Sequence, residues 1–208
     1  MVVTKSLFFT CIGKLTMYEF TTAMEFQKER NVFIREHMNH MYGTKLYYLS
    51  KLTLEFPLLV ALPIMECALT FHGIEYREGA FFDFILVYFL TTQCGTAMGY
   101  LISCVFSNMI VAAVMTVYFA IPSILFGGLL RNMGEVPGWI SWFQYCSPTR
   151  YGFEALLWAQ WPEDEYGMIK LLHFDLGYWR CCIMLAIIAV FLRLITLVFF
   201  SRLTKNAL

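Results

Sequence analysis

FILVYFLTTQCGTAMGYLISCVFSNMIVAAVMTVYFAIPSILFGGLL, residues 84–130, lies between Asp83 and Arg131 and contains no Asp, Glu, Lys or Arg. One crossing of the hydrocarbon layer takes about 20 apolar residues, so this stretch is too long for one span and suits two. Ser107-Asn108 falls near its middle and divides it into 84–106 and 109–130. A soluble helix of such length would show a charged face. Two tightly linked membrane helices explain the stretch better than a soluble core.

Working outward, three further apolar segments give five: near 7–26, 52–72, 83–106, 109–130 and 180–201, within one domain covering 1–208. The expected fold is an all-α polytopic membrane bundle. Composition agrees, with 59% hydrophobic and 14% charged residues against roughly 25% charge in soluble domains. Net charge is zero, so nothing points to nucleic acid. No Gly-x-x-x-x-Gly-Lys-Ser/Thr phosphate loop occurs, so a nucleotide-driven step needs another polypeptide or a missing part of this one. Lys5 and Lys14 interrupt the first apolar run, and no small-residue cleavage site follows it, which argues against a signal peptide.

The charged connector 27–51 carries Lys28, Arg30, Arg35, Lys45 and Lys51, and the tail adds Arg202 and Lys205. Short basic loops stay in the cytoplasm. This places 27–51, the Ser107-Asn108 turn and the C-terminus inside, with 72–80 and the long loop 131–179 outside. Residues 28–40, with Val32, Phe33 and Ile34 framed by charges, read as a short amphipathic helix along the membrane surface, or as an ordinary solvated loop. His37 and His40 lack a third metal ligand nearby, and no metal site is expected. Cys67, Cys94 and Cys104 read as small buried hydrophobes. Cys146 can pair with Cys181 or Cys182 only if that loop faces an oxidising space.

Several charges sit in or beside apolar runs. Lys51 and Glu55 are i, i+4 and expected to pair. Glu66 lies nearer the outer side, within reach of solvent. Arg193 can snorkel toward the inner headgroups or find a helix partner. Ser147-Pro148 reads as a helix start, with Ser at N-cap and Pro at the first helical position. Arg150 and Glu154 are then spaced to pair. Gly127-Gly128 permits close helix approach, and Pro122 invites a kink.

Two signatures then resemble a known family. Glu29-Arg30-x-Val32-Phe33-x-Arg35-Glu36, followed by Tyr47-Tyr48-Leu49-Ser50-Lys51 and Glu55-x-Pro57, is similar to the loop and third-helix start of G-subfamily (White/PDR type) ABC transporters. Phe126-Gly127-Gly128-Leu129-Leu130 with Trp142-x-x-Tyr145-x-Ser147-Pro148-x-Arg150-Tyr151-Gly152-x-Glu154-Ala155-Leu156 resembles that family's fifth helix end and outer loop. The resemblance implies an ABC-2 type transmembrane domain, helices two to six of six, with the ATP-binding domain and first membrane helix outside this chain.

From the resemblance, 28–40 becomes a coupling helix contacting an ATPase domain through Glu29, Arg30, Phe33, Arg35 and Glu36. Met17, Ile121, Ile124, Leu129 and Leu130 become cavity and gate residues. Ser147, Arg150, Tyr151 and Glu154 hold a re-entrant outer loop. Implied partners are the bilayer, an ABC ATPase domain carrying ATP and Mg2+, a second G-type half as homo- or heterodimer, and a lipophilic small molecule. The implied function is ATP-driven export of sterols, lipids or drugs from a plasma or internal membrane. Lys14, one turn before Met17, would instead favour anionic head groups. Alternatives are a non-transporting regulator of full-length relatives and a lipid-modifying membrane enzyme, for which no metal cluster or Ser/His arrangement speaks. The chain itself has no cofactor or catalytic residue to assign.

Overall fold

Residues 7–26 and 28–38, within the segments 7–26 and 28–40 expected as a membrane segment followed by a separate surface helix, form one continuous helix, α1 (Val2–Met38). The reason is local. No proline precedes Pro57, and one buried stripe runs without a break through Leu7, Cys11, Leu15, Glu19, Ala23, Phe26, Arg30 and Phe33, at the three- and four-residue steps of a helix face. Gln27 does not interrupt it. Its amide donates to the carbonyls of Ser103, at 3.1 Å, and Phe106, two acceptors left over where the next-but-one helix ends.

The computed structural model describes residues 2–39, 41–74, 76, 77, 79–129, 141–162, 169, 172, 174 and 176–207. Among these, α1 is followed by α2 (Thr44–Gly73), α3 (Phe81–Val105), α4 (Met109–Leu125), a 3-10 turn (Ser141–Cys146), α5 (Pro148–Gln160) and α6 (Tyr178–Ala207), with no strand. The break between α3 and α4 falls at the Ser107-Asn108 turn, where the Asn108 side chain caps α4 by accepting from the Ile110 N–H at 2.9 Å. α2 begins eight residues before the expected 52 and includes both Pro57 and Pro63. α4 stops at Leu125 rather than 130, as the chain turns through Gly128 at φ 100°, a backbone state that glycine alone adopts freely.

α3 is the central rod, buried along most of its length and touching every other helix. Two hydrophobic clusters lie along it. The larger gathers Phe8, Cys11, Phe84, Tyr88, Tyr151, Phe153 and Cys181, with Phe8 meeting Phe153 edge-on at 5.1 Å. The smaller gathers Phe26, Phe33, Tyr48, Tyr100, Cys104 and Phe200. The clusters mark opposite ends. The start of α1, the turn after α2 and the start of α6 share one, where Tyr178 donates to the Asp83 carbonyl at 3.1 Å. The α1–α2 connector, the 107–108 turn and the last turns of α6 share the other, where Phe33 lies 4.8 Å from Phe200.

Thr44–Gly73, Phe81–Val105 and Tyr178–Leu203 are each long and apolar enough to cross a membrane, and Met109–Leu125 is a shorter apolar helix of 17 residues. α1 has the length but carries Lys14 and Glu19. The apolar side chains that α2 and α6 leave exposed, among them Leu54, Leu58, Leu69, Ile187, Val190 and Phe191, face lipid. The protein is a multi-pass membrane protein.

Candidate functional site

At the connector end, ionic and aromatic contacts tie α1, α2 and α6 together. Lys51 pairs with Glu55, its i, i+4 neighbour, at 2.7 Å and with Glu29 of α1 at 2.5 Å. Tyr47 donates to Glu29 at 3.2 Å, and Tyr100 of α3 donates to Glu55. Phe33 is stacked on Tyr47 at 4.2 Å and on His37 at 5.7 Å. Glu36 accepts from Tyr42, and this hydrogen bond holds the Tyr42 hydroxyl up at about 12, so it remains a donor at physiological pH. His37 meets the Tyr42 carbonyl at 3.0 Å; His40 lies outside the described residues.

The five residues assigned to coupling therefore separate by role. Phe33 is core, Arg30 is 4% exposed, Glu29 and Glu36 are engaged within the chain, and Arg35 projects freely. Sequence reading had no access to the Lys51–Glu29 tie, which joins residues 22 apart across two helices.

Halfway along the bundle, Met17 is 67% and Ile121 51% exposed. They belong to the exposed apolar sides of α1 (Phe9, Phe20) and of α4 (Val114, Val117, Tyr118), two helices that pack together. Ile124 and Leu129 turn the other way and pack against the larger core cluster. Leu130 lies outside the described residues.

Lys14 does not bring charge to the Met17 side. It is buried, forms an ion pair with Glu66 of α2, and sits 4.6 Å over the Tyr88 ring. The expectation of a cation selecting anionic head groups is corrected by this pairing, and Glu66, expected in solvent, is its counter-ion. Glu19 is 1% exposed with neither carboxyl oxygen hydrogen-bonded. It lies where Gly95 and Gly99 bring α3 against α1: a Cβ on Gly95 would stand 2.6 Å from the Leu15 carbonyl, and one on Gly99 2.4 Å from that of Glu19. The Gly95-x-x-x-Gly99 spacing inside an apolar run was the available signal for this contact.

Around α5, Ser147 is at N-cap and Pro148 at the first helical position, yet the Ser147 hydroxyl does not cap α5. It donates to the Ser123 carbonyl at 3.1 Å, an acceptor at the end of α4 that has no following turn to serve. Ser147→Ala is expected to lower stability by about 1 kcal/mol, read as a drop in Tm of the purified protein in detergent.

The expected Arg150–Glu154 pair does not form. Glu154 accepts the Leu176 N–H at 2.8 Å, just before α6, while Arg150 lies 4.9 Å over the Tyr145 ring. Both side chains are buried, and the backbone donor and the ring outcompete a neighbour spaced in the weaker order. Tyr151, in the larger core, donates to the Tyr145 carbonyl at 2.9 Å.

Arg193 bridges rather than snorkels, donating to Gln93 and, at 3.5 Å, to Thr96 of α3. All seven cysteines are free: Cys181 and Cys182 face inward, whereas Cys146 is exposed, so no pair forms. Among the described residues no cluster of His, Cys, Asp or Glu could hold a metal.

These features define a polytopic, all-helical membrane domain. The chain belongs to the ABC-2 type transporter family, whose model matches residues 3–161. It is 36% identical over 153 residues to protein white of Drosophila melanogaster, covering 73% of this chain and 22% of that protein. It is 29% identical over 144 residues to the broad substrate specificity ATP-binding cassette transporter ABCG2 of Mus musculus, covering 68% and 22%. With ABC transporter G family member 18 of Arabidopsis thaliana it shares 28% over 147 residues, covering 70% and 21%. The chain thus spans about a fifth of the length of the curated relatives it matches.

Proposed function

We propose that this chain is the membrane-spanning half of a G-type ABC transporter, exporting lipophilic compounds such as sterols, lipids or drugs once joined to an ATPase domain and dimerised. The observation that carries this reading is the exposed apolar surface of the adjacent helices α1 and α4, centred on Met17 and Ile121. Opposed across a two-fold axis, two such surfaces enclose an apolar slot suited to flat, uncharged cargo. Leu129, just beyond the end of α4, packs against the larger core cluster rather than into this slot. The Lys14–Glu66 pair keeps net charge out of the slot. ATP and Mg2+ would reside on the ATPase domain, since the chain has no phosphate loop.

Force from that domain would enter at the connector end. Arg35 meets the motor surface, while Phe33 and the Glu29–Lys51 tie pass displacement to α2 and α6. Glu29→Lys reverses one partner of that tie and sets two cations together. In inside-out vesicles holding this chain with a G-type partner that carries ATPase domains, the variant is expected to hydrolyse ATP at the parent rate. Its ATP-dependent uptake of a fluorescent sterol should fall about tenfold, an energetic loss of ~1.4 kcal/mol. Undiminished uptake removes the coupling assignment. Absence of ATP-dependent uptake by the unaltered protein, across sterol, phospholipid and amphipathic dye, removes the export reading itself.

A further inference from the structure

A cavity of about 540 Å³ opens at the connector end between α1, α3 and α6. Its polar side is made by Arg30 and Arg202, its apolar side by Ile34, Val105, Phe199 and Leu203. Arg30 is 4% exposed, and its guanidinium takes part in no hydrogen bond or ion pair among the described residues; its Nε is buried without an acceptor. A buried cation in that state is strongly unfavourable.

The surrounding elements supply no anion. α3 has no acidic residue beyond Asp83 at its far end, and α6 has none at all. Glu29, the acid next to Arg30 on α1, is taken by Lys51 and Tyr47. Arg202, on the last turns of α6, is exposed and forms no ion pair among the described residues. Among the described residues nothing supplies the counter-charge, which points to an anion from outside them.

Its chemistry can be specified further. Two guanidinium groups in one cavity match a phosphate ester, which accepts from their planar forks two bonds at a time. The cavity sits where α3 ends at Val105 and where α6 turns from Phe199-Phe200 to Arg202, the level at which hydrocarbon gives way to head groups. Free phosphate would satisfy the arginines and leave four apolar walls wet; a phospholipid satisfies both. We infer that Arg30 and Arg202 form a binding site for the phosphate of an anionic lipid, with its chains lying against Ile34, Val105, Phe199 and Leu203. The site requires only that these helices stand in a bilayer, and it holds whether or not the export reading does.

Native mass spectrometry of the purified 208-residue chain, with phosphatidic acid and phosphatidylcholine offered together, tests this. One phosphatidic acid should be retained at least tenfold over phosphatidylcholine. Arg202→Gln, on an exposed position that folding tolerates, should lower that retention about tenfold, and Arg30→Gln at least as much. Arg35→Gln, exposed and outside the cavity, should leave it unchanged. Inorganic phosphate at millimolar concentration should fail to displace the lipid; displacement would keep the anion site and overturn its lipid occupant. Equal retention of the two lipids, an undiminished preference in Arg202→Gln, or an equal loss in Arg35→Gln would overturn the site.

Discussion

Gly99→Ala is expected to cost about 3 kcal/mol, and Gly95→Ala with Gly99→Ala to abolish the folded, monodisperse protein. The new methyl at 99 would stand 2.4 Å from the Glu19 carbonyl oxygen and 3.1 Å from the Ala23 nitrogen, and the one at 95 would stand 2.6 Å from the Leu15 carbonyl. All three are backbone atoms of α1, so neither a rotamer change nor a flexible tip can make room. The helices must separate, and overpacking of this kind costs about 1–3 kcal/mol even where side chains can yield. Separation would also loosen the Gln27 contacts to Ser103 and Phe106, which lie one to two turns further along the same seam. Size-exclusion profiles and Tm in detergent measure the effect. Gly13→Ala is the control: nothing lies within 4 Å of a Cβ there, and in a helix interior the change is expected to stabilise by roughly 0.5–1 kcal/mol. If Gly99→Ala matched that control, the close approach of α1 and α3 would be refuted.

Glu66→Leu is expected to be at least as damaging as Gly99→Ala, at about 3–5 kcal/mol, because it strands the Lys14 ammonium in the bundle. The Lys14 side chain is 7% exposed against 42% for Glu66, so the two ends of the pair differ. Lys14→Leu leaves a carboxylate that is 42% exposed and can reach water, and should cost less. The ring of Tyr88, 4.6 Å away, offsets part of the stranded cation's penalty but cannot replace a counter-ion. The double variant, Lys14→Leu with Glu66→Leu, should return most of the lost stability, since apolar side chains replace a buried pair at little net cost. A thermal-unfolding cycle over the four proteins reads the coupling directly. Additive losses would show that Lys14 and Glu66 act independently.

Much of the architecture was legible because it is local. Absence of charge from 84 to 130 and the Ser107-Asn108 break locate α3 and α4. The alternation of basic and acidic connections agrees with the way helix ends gather in space. The continuity of α1 was hidden by the change from apolar to charged residues near Gln27, a change in surroundings rather than in backbone conformation. Long-range partners were not legible either. Lys14–Glu66 and Arg193–Gln93 join positions 52 and 100 residues apart, and periodicity carries no trace of such pairing. Arg150 and Glu154 had the spacing to pair, and the spacing misled because Tyr145 and the Leu176 N–H were better placed.

The unbroken run of α1 has a consequence for motion. With 37 residues and no hinge, it behaves as a see-saw about 55 Å long at 1.5 Å per residue. Pivoting by about 5° at the Gly95–Gly99 seam would swing Met38 one way and Val2 the other by about 2 Å each, on the same 1.5 Å rise. A small nudge delivered at the charged tip would thus reach Phe8 and the α5 cap at the far rim within the same stroke, without any side chain having to relay it.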